Sequence, residues 1–168
     1  MKDYLPKSKK SIGVKKIINE AIDILESIGI PINPKAPKST ENTAMSFLAL
    51  LDVTDDWTKA KCITDNYGLS SKEVIAYFNK NFEESISAGS YDDVPRAYIK
   101  FLLVVNFVIR SGINPNENWN SPTRKYVIPE FLKDLVVLYG TEKWDKALVD
   151  FTGYTADIDH LIPAECDQ

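Results

Sequence analysis

The sequence predicts a mainly α protein: a helical domain containing a helix-turn-helix and a small β-wing, winged-helix-like in overall class. Three observations predict it. Several segments carry apolar residues at helical spacing between capping residues and Gly/Pro stops. Between Ser90 and Ile128 a polar, capped helix start leads into a long apolar stretch, a glycine, an Asn/Pro-rich segment and a short closing strand. A 168-residue chain that is 44% hydrophobic is long enough for one domain with a real core.

The elements follow in order. Val14, Ile17, Ile18, Ala21, Ile24, Leu25 and Ile28 predict a first helix from about Gly13, stopped by Gly29 and Pro31. A proline-bearing linker over residues 32–38 leads to a second helix. Ser39 or Thr40 is its expected cap, Glu41 lies near its positive end, and Ala44, Phe47, Leu48 and Leu51 form its core stripe. After the acidic turn 52–56, a short helical stretch is expected over 57–65, closed by Tyr67-Gly68. Ser70-Ser-Lys-Glu73 is a capping box, and Val74, Ile75, Tyr77, Phe78 and Phe82 pack the helix behind it.

The next helix is expected to start near Asp92, with Asp92 and Asp93 as caps and Pro95 tolerated in the first turn. From Tyr98 to Ile109 it is apolar on nearly every side, so only its first turns, with Tyr91, Asp93, Arg96 and Lys100, face outward. Gly112 is its expected stop. Residues 113–124 form a ribbon with a long tip, and residues 125–128 a strand. Two further helices are expected, one from Pro129-Glu130 to Tyr139 and broken by Gly140, and one capped by Thr141, the latter with Trp144, Leu148 and Phe151 on one face. The domain organisation expected is a lysine-rich leader (1–16), a helical body (17–151) and an acidic tail (152–168).

Charge narrows the function classes. The net charge of −4 disfavours indiscriminate nucleic-acid binding, but it is unevenly spread. The leader holds six lysines (Lys2, Lys7, Lys9, Lys10, Lys15, Lys16) against Asp3, a candidate phosphate-contacting arm. Cys62 and Cys166 fit no metal or redox spacing, so reduced thiols in a cytoplasmic protein are expected, with no metal and no cofactor. The longest apolar run falls far below the roughly 20 residues of a membrane span.

Duplex DNA is the partner this pattern suits. Ser90, Tyr91 and Arg96 are placed at a helix start, where an arginine can donate two bonds to guanine; Lys100, one turn on, suits a phosphate. Asn120, Ser121, Thr123, Arg124 and Lys125 populate the wing, where short donors and two adjacent cations fit a sugar-phosphate track. Against this, Arg96 has Asp92 and Asp93 at helical pairing distance, and a wing tip is equally a solvated hairpin.

No catalytic motif is complete. A PD-(D/E)xK site needs an acid two residues before a lysine, and no lysine has one. Asp157-Ile-Asp-His160 looks like the first part of an HNH site, but no second half follows. One histidine and no Gly-x-Ser-x-Gly elbow exclude a nucleophilic triad.

The stretches Asn120-Ser-Pro-Thr-Arg-Lys-Tyr-Val-Ile128 and Tyr139-Gly-Thr-Glu-Lys-Trp144 resemble the N-terminal domain of BsuBI/PstI-type restriction endonucleases. So do residues 21–30 (Ala-Ile-Asp-Ile-Leu-Glu-Ser-Ile-Gly-Ile), with 44–52 behind them. The resemblance implies a winged-helix module reading DNA for a restriction-modification protein, with a C-terminal nuclease domain or subunit and paired copies on a palindrome. The family's basic recognition-helix start is replaced here by Ser90-Tyr-Asp-Asp-Val-Pro-Arg96. Two alternatives stand beside this reading: a protein-interaction module on the same fold, and the front part of a longer PD-(D/E)xK or HNH nuclease.

Overall fold

In the computed structural model of the protein, residues 2–111 and 124–155 are described. The core begins with two helices. Helix α1 (Ile12–Ser27) buries Ile17, Ile18, Ala21, Ile22, Ile24 and Leu25, a stripe three and four residues apart. It ends as its glycine predicted. Gly29 takes φ +94°, Gly29 N–H donates to Glu26 O, and Ile30 N–H donates to Leu25 O, a Schellman closure. On the outer side of α1, Trp57 Nε1 donates to Glu20 at 3.0 Å and the Tyr139 hydroxyl donates to Asp23 at 2.7 Å.

Helix α2 (Pro37–Leu51) starts earlier than its Ser/Thr cap suggested. Pro37 occupies the first turn, where its missing N–H is no loss, so Thr40 and Glu41 are buried inside the helix instead of capping it. Asp52 closes α2 in the left-handed conformation, φ 55°. Its carboxylate accepts from the Tyr77 hydroxyl at 2.8 Å and pairs with Lys61 at 2.7 Å, which ties the end of α2 to the next helix.

The stretch 57–65 forms two single 3₁₀ turns, Trp57–Lys59 and Ile63–Asp65, rather than a helix. Strand β1 (Leu69–Ser70), which the sequence reading lacked, leads directly into α3 (Ser71–Asn81). The capping box forms as expected: Glu73 N–H donates to Ser70 Oγ at 3.2 Å, and Ser70 N–H donates to Glu73 at 2.9 Å.

The expected long apolar helix is broken into pieces. A 3₁₀ turn (Ala88–Asp92) is followed by a π turn (Val94–Tyr98) and by the short helix α4 (Lys100–Val104). Pro95 supplies no N–H to the helical ladder, and β-branched residues crowd the later turns. Asn106, not Gly112, ends the helical path: at φ 62° it lets Phe107 N–H reach Leu102 O. The chain then extends as β2 (Ile109–Ser111), so of the latter part of the apolar run Phe107 and Val108 are buried in the turn, while Ile109 opens the strand exposed. Gly112 itself lies outside the described residues.

Strand β3 (Lys125–Val127) pairs antiparallel with both others, giving the order β1-β3-β2. The register sets Leu69 against Tyr126, and Ile109 against Val127. Strands β2 and β3 thus stand where a wing base is expected; residues 112–123, on which the expected wing tip falls, lie outside the described residues. Helices α5 (Glu130–Val136) and α6 (Trp144–Thr155) close the core, α5 stopping three residues before the expected Tyr139. Ile18, Phe47, Leu48, Phe78, Leu102, Tyr126 and Val136 are all fully enclosed. The element order, helix–strand–helix–helical segment–ribbon, is mainly α and winged-helix-like.

The lysine-rich leader folds back on this body. Leu5 is buried, and Tyr4 N–H donates to Asn19 at 2.9 Å. Lys10 is almost enclosed, donating to the Phe82 carbonyl and pairing with Glu84 at 3.1 Å and Glu41 at 3.4 Å. Lys38 joins the same cluster, 2.6 Å from Glu84. Lys15 pairs with Asp3. Two of the six leader lysines are therefore already engaged with carboxylates of the chain.

Two expectations follow. At Gly68 an added Cβ would stand 2.7 Å from Val127 Cγ1 and 3.0 Å from the Tyr126 carbonyl oxygen, so Gly68→Ala forces β1 from β3. Urea unfolding should show a loss of about 1–3 kcal/mol; wild-type stability would mean that this approach is not tight. Burial pushes the Glu84 carboxyl up, but hydrogen bonds from Lys38 and Lys10 outweigh it and hold it below the ordinary value of 4.5. Its stabilising contribution is complete above that value and lost as pH falls through the folded one, so Tm should drop between about pH 5 and pH 3. The drop should be smaller in Glu84→Gln, and equal drops in both proteins would contradict the assignment.

Candidate nucleic-acid interface

Helix α3 and the segment 88–104, the elements expected to form the two arms of a helix-turn-helix, pack against each other. The Phe78 and Tyr98 rings stack with centroids 5.9 Å apart, and Val94, Ile99 and Leu102 point wholly into the core. That anchoring leaves a defined outer edge. Ser90, Tyr91, Asp92 and Asp93 are half-buried, while Arg96, Ala97 and Lys100 are exposed.

Arg96 does not stand alone on that edge. Its guanidinium donates to Asp93 at 2.5 Å and lies 4.0 Å from Asp92, with 70% of its side chain exposed. Lys100 rests over the Phe101 ring, 5.8 Å from its centroid. Arg96 and Lys100 also border a groove of about 640 Å³ whose other wall is the linker and the first turns of α2, including Ile32, Ser39 and Thr43.

At the wing base the two adjacent cations part company. Lys125 is about half exposed, and its ammonium donates to Glu73 at 2.9 Å. Arg124 is buried, with 8% exposure, where an outward-facing phosphate contact was expected. The correction has a simple cause. Successive residues of an extended chain face opposite ways, so if Lys125 points to solvent, Arg124 shares the inner side with Tyr126. Arg110, opposite Tyr126 in the ladder, joins them there. Burial pulls its proton affinity down, the Tyr126 hydroxyl opposes that, and the neighbouring Arg124 charge adds to the lowering. Asn120, Ser121 and Thr123 lie outside the described residues, as do Asp157 and His160.

Lys72, overlooked in the sequence, connects the two halves. It occupies the first turn of α3, and its ammonium lies 5.2 Å from the centroid of the Tyr91 ring. The next residue, Glu73, holds Lys125. One helical turn therefore touches the start of the 88–104 segment on one side and strand β3 on the other. Burial acts to raise the Glu73 carboxyl, but bonds from Ser70 N–H and Lys125 leave it below the usual carboxylate range, so it is ionised at neutral pH. The signal for Lys72 was its position inside the capping box, a first-turn site that points away from the core.

Among the described residues, no cluster of three or more His, Cys, Asp or Glu is arranged to hold a metal ion, and no helix is long and apolar enough to cross a membrane.

Comparison with known proteins places this geometry in context. Residues 15–158 match the BsuBI/PstI restriction endonuclease HTH domain. Among solved structures, the SdaI restriction endonuclease shares the fold with a TM-score of 0.69 at 20% identity. The match covers 86% of this chain and 44% of that one, so this chain corresponds to less than half of that enzyme. No curated protein matches at a significant level. With its helix-turn-helix, its three-stranded wing base and a family match over most of its length, the chain belongs to the BsuBI/PstI restriction endonuclease HTH-domain family.

Proposed function

We propose that this domain binds duplex DNA and supplies sequence recognition to a restriction-modification protein in the cytoplasm, without catalysis of its own. Nuclease chemistry would come from another domain or subunit, and a palindromic target would bring two copies together. The observation that carries the reading is the first turn of α3, which contacts Tyr91 through Lys72 and Lys125 through Glu73. A recognition segment and a wing base held on one helical turn can meet one face of a duplex together.

In this arrangement Arg96 is the base-reading candidate, donating to guanine O6 and N7 once it leaves Asp93. Ser90 and Tyr91 flank it at the segment start. Lys100, Lys72 and Lys125 are exposed cations suited to phosphates, which position the domain without specifying sequence. Asn120, Ser121 and Thr123 remain candidates for the wing tip. Arg124 supports the wing from inside.

A second reading, a protein-interaction module, is favoured by one observation. Arg96 and Lys125 are each paired with a carboxylate on a chain of net charge −4. Salt separates the two. If the domain neutralises several phosphates, log affinity for duplex should fall with log salt at a slope of about −0.9 per phosphate. A flat response, or no binding at low salt, would leave the interaction reading in its place.

Substitution sharpens the test. Lys72→Ala and Lys100→Ala, at cations with no carboxylate partner among the described residues, should each weaken binding about equally for all sequences and reduce the salt slope by about 1. Arg96→Ala should cost roughly 1–3 kcal/mol at one base pair and relax preference there, measured by selection and sequencing of bound duplexes. Arg124→Ala should instead lower thermal stability. Unchanged selectivity in Arg96→Ala would remove Arg96 from the reading role.

A further inference from the structure

The cations on the DNA-facing edge fall into two kinds. Lys72 and Lys100 lie over aromatic rings, and among the described residues neither has a carboxylate within ion-pair distance. Arg96 and Lys125 are held by carboxylates, Arg96 by Asp93 at 2.5 Å with Asp92 further off at 4.0 Å, and Lys125 by Glu73 at 2.9 Å. These two pairs sit at opposite ends of the proposed contact surface, one on the recognition segment and one at the wing base.

The pairs are poorly explained by stability. Arg96 and Lys125 are 70% and 49% exposed, and Asp93 and Glu73 are 36% and 47% exposed. Ion pairs that open to water add little to folding, because solvent screens them and two flexible side chains must be held still. Asp93 makes no capping bond at the turn it precedes. Glu73 does cap α3, but a neutral glutamine at that position can accept the same backbone bond.

We propose that Asp93 and Glu73 are specificity-determining residues: intramolecular counter-charges that hold Arg96 and Lys125 in the free protein and suppress binding to non-target duplex. The inference rests on the DNA-binding reading. A passing phosphate must displace a carboxylate already in place, so one anion replaces another with little gain. At a target site the released Arg96 meets a base edge offering two acceptors, and the exchange becomes favourable. The freed carboxylates then attract cations from solution. This offsets part of the counterion release that drives nucleic-acid association, and flattens the salt response of the wild-type protein.

The test uses the full chain, a random-sequence duplex and a duplex recovered by selection, with fluorescence anisotropy across a salt series. The variants are Asp93→Asn, Glu73→Gln and the pair together. Glu26→Gln, an exposed carboxylate on α1, removes the same charge elsewhere. Each interface variant should bind random duplex about twofold to fivefold more tightly, the free-energy range of an exposed ion pair. The salt slope should steepen by about one unit per pair opened. The selected duplex should gain less, so the ratio between the two falls. Circular dichroism melts matching wild type would show that the variants remain folded.

The inference is overturned if neither variant raises affinity for random duplex, or if Glu26→Gln raises it as much, since net charge alone would then explain the change. Wild-type binding with unresponsive variants overturns this inference and leaves the DNA-binding reading intact. Absence of duplex binding in every protein overturns both.

Discussion

Strand β3 is the constraint on which the rest of the molecule depends. It is only three residues long, yet it pairs with β1 on one side and β2 on the other. β1 runs straight into α3, and β2 follows the segment 88–104, so β3 is where α3 and that segment are referenced to each other. Tyr126, at its centre, is fully enclosed and faces Leu69 and Arg110 across the two ladders. A short sheet is weak on its own, and this one is held by the helical core beneath it. Fixing β3 also fixes which side chains the wing base shows. Lys125 faces out and Arg124 faces in.

Charge is used in two ways on this acidic chain. Inside, Lys10 reaches Glu41 and Glu84 and binds the leader to the start of α2 and to the turn after α3. Removing one member of such a cluster strands the others at low exposure, so the cluster discriminates strongly between correct and incorrect docking of the leader. Outside, the pairs at Arg96 and Lys125 are partly exposed, where solvent screens them and they add little to folding. The lysine-rich start of the chain is thus partly a structural strap, whereas Arg96, Lys100 and Lys125 carry exposed charge.

Local rules written in few residues were readable without coordinates. The Gly29 stop, the Ser70/Glu73 capping box and the core stripes of α1, α2 and α3 each depend on neighbours within one helical turn. The closing strand over 125–127 was legible too, because it is short, β-rich and flanked by turn residues. The long apolar run misled. Phe107, Val108 and Ile109 are compatible with a buried helix or a buried strand, and periodicity cannot tell the two apart. The choice was made by Asn106, which turns left-handed, and by β3 waiting to pair with the emerging strand.

By itself, then, the amino-acid order determined α1 and its Gly29 stop, the core stripes of α2 and α3, the class of fold and the family of the domain, because these rest on short-range pattern. Tertiary structure decided what each charge does. Lys10, Lys125, Arg96 and Arg124 are indistinguishable as isolated cations, but one is enclosed by carboxylates, two are held at the surface by Glu73 and Asp93, and one is turned inward beside Tyr126. The reason is range. A helix stop is settled within five residues, whereas the pairings of Lys10 with Glu84 and of Lys125 with Glu73 span 74 and 52 residues and exist only once the core has brought the segments together.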